Sequence, residues 1–113
     1  MQLIDQGRVY SKQNLFKGSG TVHIKDLLGQ QKSSFQAVLA CRLEPEAGVG
    51  THLQMHADEL IIIQQGQGQA YIDKKSFILT TGVVLHLTQG QTLSLHNTST
   101  EEDLVYHIIK VAS

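Results

Sequence analysis

The sequence predicts an all-β fold, a sandwich or a closed barrel, on three observations. Residues 34–43 (SFQAVLACRL) place Phe35, Ala37, Leu39, Cys41 and Leu43 on one side and Gln36, Val38, Ala40 and Arg42 on the other, the two-residue period of a strand. Short apolar segments recur at fairly even spacing to the end of the chain, separated by Gly, Asn, Ser and Thr. No window repeats its apolar residues with the spacing of a long amphipathic helix. A series of short strands is stable when pairing or closure removes its free edges, which is what a sandwich or barrel provides.

Taken in order, residues 1–20 carry Gln, Lys, Ser and Gly with little periodicity. They read as an amino-terminal arm with one short strand around Val9 and Tyr10, ordered by what it docks against. Residues 21–25 (TVHIK) form a short strand, and 26–33 a polar connection that contains Gly29. The strand over 34–43 is broken by Glu44-Pro45-Glu46-Ala47-Gly48. Farther on, 59–65 (ELIIIQQ) and 67–73 (QGQAYID) flank Gly66, which marks a hairpin or tight bend, and Lys74-Lys75 marks a second turn. Segments 76–79, 83–87, 92–96 and 104–111 complete the series, with Glu101-Glu102-Asp103 as a solvated turn before the last.

A chain of 113 residues fits one compact domain able to bury its own core. The net charge is −1, the nine Lys and Arg residues are scattered, and only 5% of residues are aromatic. That leaves neither a phosphate track nor a base-stacking platform, so nucleic acid is not an expected partner. Apolar runs such as residues 60–63 are far too short to cross a membrane. Met1 is followed by polar and charged residues rather than a secretory leader, and the single Cys41 cannot form an internal disulfide. The expectation is a soluble, cytoplasmic protein with no membrane partner.

The stretch from Gly48 to Gly68 (GVGTHLQMHADELIIIQQGQG) concentrates the chemistry. On a regular strand His52, Gln54 and His56 share a face, and Glu59 shares one with Ile61 and Ile63. Imidazole and carboxylate are the usual ligands of first-row divalent metals, so His52, Gln54, His56 and Glu59 are the candidate metal ligands. A carboxylate among buried isoleucines needs a partner, and a hydrogen bond between His52 and Glu59 is the alternative to a metal or ligand site. His56 also reads as a solvated turn residue beside Ala57 and Asp58, and His23, His86 and His107 as satisfied core or outer-face histidines. Cys41 shares its face with Phe35, Leu39 and Leu43 and reads as a buried, inert thiol. Gly66-Gln67-Gly68 is hairpin punctuation, because no helix follows to offer its amides to a phosphate.

Two motifs give the chain a resemblance to the cupin family over residues 44–111. The family's first motif reads G-x5-H-x-H-x(3 or 4)-E-x6-G, and His52-x-Gln54-x4-Glu59-x6-Gly66 keeps its spacing with glutamine as the second histidine. Its leading glycine position falls on Glu46. The second reads G-x5-P-x-G-x2-H-x3-N, and Gly82-x5-Thr88-x-Gly90-x2-Leu93-x3-Asn97 keeps both glycines and the asparagine. The resemblance implies a cupin-like double-stranded β-helix, or jelly-roll barrel, as a single domain over residues 1–113. In cupins the two histidines and glutamate of the first motif and the histidine of the second usually hold one divalent metal inside the barrel. Here only His52 and Glu59 match. Leucine at position 93 has no lone pair to give, and the Gln54 amide oxygen is a weaker ligand than imidazole. His96 is out of phase with Leu93 and Leu95 and should face the other way unless a bulge intervenes.

The barrel interior is expected to hold His52, Gln54, Glu59, Ile61 and Ile63, with Leu85, Leu87, Leu93 and Leu95 opposite, an apolar pocket with a few converging polar groups. The first functional expectation is a small-molecule binder using His52, Gln54, Glu59, Ile61 and Leu93, with no cofactor or only a weakly held Fe, Mn, Ni or Zn. The second is a metal-dependent enzyme of dioxygenase or isomerase type, built on His52, Glu59 and an irregular third ligand. A third is an assembly module with a vestigial site. Cupins commonly pair through outer strands, so a homodimer through Val38, Ala40 and the amino-terminal arm is expected.

Overall fold

The computed structural model describes residues 7–55 and 57–111, so His56, a candidate ligand, and the start of the predicted arm lie outside the described residues. The described chain forms β1 (Val9–Gln13), a 3-10 turn (Leu15–Lys17), β2 (Thr21–Asp26), β3 (Phe35–Leu43), β4 (Gly48–Leu53) and β5 (Glu59–Gln65). After these come β6 (Gly68–Ile72), β7 (Lys75–Leu79), β8 (Val84–Leu87), β9 (Thr92–Asn97) and β10 (Leu104–Val111). They make two antiparallel sheets, one in the order β1-β2-β3-β10-β5-β8 and the other β4-β9-β6-β7. Among the described residues no helix is long and apolar enough to cross a membrane.

The expected alternation is what packs the sheets together. Cys41 and Leu43 of β3, Ile61 and Ile63 of β5, Leu85 and Leu87 of β8, Leu93 and Leu95 of β9, and Leu104 and Tyr106 of β10 all turn into one core. Burying each such aliphatic side chain is worth roughly 1.5–3 kcal/mol relative to exposure. Their neighbours in sequence face outward, among them Val84 and His86 of β8 and His96 of β9.

Gly66 is a corner rather than a hairpin, because β5 and β6 belong to different sheets. Its φ is +99°, and a Cβ there would lie 2.5 Å from the Asp103 carbonyl oxygen, so position 66 requires glycine twice over. The true hairpin joins β6 to β7 through Asp73-Lys74, with Asp73 at φ +53°. Glu46, at the leading glycine position of the first motif, also adopts a left-handed φ of +63°.

Asn97 explains its place in the second motif. Fully buried, it donates through Nδ2 to the carbonyls of Leu43 (3.0 Å), Glu44 (3.1 Å) and Glu102 (2.8 Å), and its Oδ1 accepts from the Ser99 amide (2.9 Å). One side chain thus ties the end of β3 to the turn before β10.

From Gly7 on, the arm is part of the fold. β1 pairs with β2 from Val9 opposite Lys25 to Gln13 opposite Thr21, and forms the edge of the larger sheet. The chain then crosses to the smaller sheet, where Ser19 bridges to Gly48. In between, Asn14, Phe16 and Lys17 have φ of 52°, 52° and 63°, a conformation that costs a residue with a side chain roughly 1–2 kcal/mol. The docking works because Gly50 is bare: a Cβ there would meet the Phe16 carbonyl oxygen at 2.0 Å.

Candidate functional site

The site begins with an irregularity in β4. Val49 stands opposite Leu95 and His52 opposite Leu93, so two residues of β4, Gly50 and Thr51, face the single intervening residue of β9. This bulge resets the alternation. Val49 and His52, three apart, both turn toward the interior, and beyond them Leu53 is exposed while Gln54 is buried.

His52 is fixed from two sides. Its Nδ1 lies 3.3 Å from the Gly50 carbonyl, to which an N–H there donates, and its ring stacks on Phe16 with centroids 4.2 Å apart and planes at 16°. Glu59 is almost wholly buried at the start of β5. Its Oε2 accepts from the Gln54 amide and lies 3.6 Å from the Lys110 ammonium, which β10 places directly across the ladder. The carboxylate therefore has the partners its burial demands, but they are Gln54 and Lys110 rather than the expected His52.

His52, Phe16, Glu59 and Lys110 border a cavity of about 160 Å³ between the sheets. Val22, Ile24, Leu39, Val49, Leu95 and Ile108 supply apolar wall, Leu15 and Phe16 of the arm cover one side, and Leu93 lies beside His52. The polar groups that reach it are Cys41, His52, Glu59, Tyr106 and Lys110. Burial, reinforced by the Glu59 charge, pushes the Cys41 thiol up to about 12, so it is neutral and inert. Burial likewise holds the Tyr106 hydroxyl well above its usual range, fully protonated.

Of the residues singled out in the sequence, the fold brings His52, Glu59 and Leu93 to the cavity. Gln54 sits behind Glu59 and is spent on it, and Ile61 is packed in the core away from the lining. Phe16, Tyr106 and Lys110 were missed. The last two had a signal, since Leu104, Tyr106, Ile108 and Lys110 alternate along β10, while Phe16 had none because its position follows from arm docking.

A resident divalent metal of the kind cupins hold does not fit these residues. Leu93 puts hydrocarbon where the second motif supplies a donor, and Lys110 already holds its positive charge against Glu59. Among the described residues no three His, Cys, Asp or Glu side chains are grouped as a metal would need.

No family model and no curated protein sequence matches the chain. Solved structures do. A protein of Thermotoga maritima described as a predicted oxalate decarboxylase superposes with a TM-score of 0.86 at 22% identity, over 93% of this chain and 92% of its own. A cupin 2 conserved barrel domain protein from Rhodopseudomonas palustris gives a TM-score of 0.77 at 10% identity, over 94% of this chain and 72% of its own. The Cnp3 cupin domain of Schizosaccharomyces pombe gives 0.74 at 15%, over 92% and 69%. Two antiparallel sheets in this order, with glycines and an asparagine at the turns of both motifs, and these likenesses together show that the chain is built on the cupin barrel fold.

Proposed function

We propose that the protein binds a small molecule inside the barrel without a complete catalytic metal site. The observation that carries this reading is the cavity itself, apolar over most of its wall, with His52, Glu59, Tyr106 and Lys110 converging on it from both sheets. Such a wall with few polar groups is the usual form of a small-molecule site. The spending of Gln54 and Lys110 on Glu59 supports the absence of a metal centre. One feature favours the metal-dependent alternative: an imidazole whose Nδ1 is held by a backbone carbonyl has its Nε2 set as a ligand.

Elemental analysis of the purified protein, after exposure to Fe, Mn, Ni, Co and Zn in turn and desalting, separates the two. The binder retains no stoichiometric metal and responds to small organic compounds in a thermal-shift screen. Stoichiometric metal that disappears in His52→Ala would replace this reading with the enzyme.

The assembly we propose is a homodimer through the outer face of the larger sheet. Val38, Ala40, Leu60, Ile62, Val84 and Ile109 lie together there by register, and Leu60 and Val84 are exposed. An exposed apolar area of this kind on a sheet, interrupted here by His107 and His86, is characteristic of an association surface. Light scattering at micromolar concentration should give twice the chain mass, and Val84→Lys should return it to the monomer; a monomeric mass for the parent protein refutes the dimer.

A further inference from the structure

We propose that the cavity takes a neutral molecule of about benzene size carrying one oxygen, a small cyclic ketone or alcohol, hydrogen-bonded at Tyr106. This rests on the small-molecule reading above and names the class of ligand.

Size comes first. A protein cavity of roughly 150 Å³ lined by aliphatic and aromatic side chains accommodates benzene, and this one measures about 160 Å³. A single compact ring or branched chain fills it.

Charge comes next. Glu59 and Lys110 both reach the cavity and face each other at 3.6 Å, which leaves the pair neutral as a unit. An ionised ligand would bring a charge that neither the paired Glu59 and Lys110 nor a neutral His52, whose Nδ1–H donates to the Gly50 carbonyl and leaves Nε2 an acceptor, would balance, and burying an unpaired charge costs several kcal/mol. A carboxylate could recruit Lys110 only by stripping it from Glu59, which is itself nearly wholly buried. The lining thus selects against anions and, by the same reasoning from the Lys110 side, against amines.

The polar contact is the Tyr106 hydroxyl. Among the described residues every fully enclosed side-chain nitrogen or oxygen has a hydrogen-bond partner. Tyr106 is 2% exposed and borders the cavity, yet its hydroxyl makes no hydrogen bond to a described residue. It is therefore an atom that the cavity reaches, a buried donor open to an acceptor brought by a ligand. The neighbouring Cys41 thiol is too weak a hydrogen-bonding group to replace that acceptor.

The test compares cyclohexanone, benzene and cyclohexanecarboxylate, measured by calorimetry and by methyl NMR on the full chain and on Tyr106→Phe. Cyclohexanone and benzene should bind and cyclohexanecarboxylate should not, while Tyr106→Phe should weaken cyclohexanone about tenfold and leave benzene unchanged. Retained benzene binding also shows that the variant is folded. Ile108→Trp, which fills the cavity, should abolish both. Binding of the carboxylate as tightly as the ketone, or an unchanged ketone affinity in Tyr106→Phe, overturns the ligand class and leaves small-molecule binding standing. Failure of all three probes and of a diverse compound library removes both readings.

Discussion

His52 and Leu93 are direct cross-strand partners, both bordering the same cavity, so the imidazole looks across the β4–β9 ladder at hydrocarbon. Facing residues on such a ladder have Cβ atoms about 4.5–5.5 Å apart, close enough for two histidines to share an ion.

The double variant Gln54→His/Leu93→His should therefore hold a divalent metal more tightly than the parent chain. Position 93 faces His52 across the ladder and position 54 adjoins Glu59, so the two added imidazoles flank the two donors already present. Cobalt titration followed by visible absorption provides the readout, with intense tetrahedral or five-coordinate bands at lower cobalt concentration in the double variant than in the parent. A double variant that folds and remains colourless would refute this prediction.

Lys110→Met should destabilise the protein by about 1–3 kcal/mol, because it leaves the buried Glu59 carboxylate with Gln54 as its remaining polar partner. The lower end allows for a lysine that is one-third exposed and partly screened. Adding Glu59→Gln should recover much of that loss. Urea denaturation of the two single variants and the double variant closes the cycle, and additive losses would mean that the pair does not interact.

Asn97→Ala should cost roughly 2–4 kcal/mol, since three carbonyls lose their donor and the Ser99 amide its acceptor in a site closed to water. Asn97→Asp should be as harmful despite its matching shape, because it turns an acceptor toward three acceptors. Thermal melting checks both.

The alkaline limb of the stability curve should carry the signature of Cys41. Its thiol ionises at an ordinary value of 9.0 when the chain unfolds but only at about 12 in the folded protein. The folded form keeps the proton that the unfolded form releases, so this contribution is complete below pH 9.0 and is lost as the pH rises toward about 12. The decline is about 1.4 kcal/mol per pH unit for one proton. Cys41→Ala should flatten stability against pH above that point by one proton's share, and the native thiol should resist aromatic disulfide reagents until the protein unfolds.

The two-residue period located the strands because one face of each is buried, and the motif glycines located the turns because left-handed or crowded backbone excludes side chains. Gly66 could be read in both ways. Glu46 shows the limit of that reading: it takes a glycine's conformation at φ +63°, and nothing about a glutamate in sequence announces this. Part of the site was legible for the same reason as the core. His52 and Glu59 were found by motif spacing, but whether they meet depends on the bulge at Gly50-Thr51 and on a lysine brought from the far end of the chain by register. The Phe16 stack on His52 was beyond reach, since it depends on an arm folding back over a bare glycine.

That arm has a consequence for traffic into the barrel. Phe16 stands half exposed between the cavity and solvent, and three residues upstream β1 completes the hydrogen bonding of β2. A wide withdrawal of this segment to admit a guest would strip β2 and leave an unpaired strand edge, a template for another chain. The left-handed residues Asn14, Phe16 and Lys17 lie beyond the β1–β2 ladder, so a displacement confined to them would leave that edge covered. Cover of the cavity and cover of the sheet edge thus fall to adjacent pieces of one short segment.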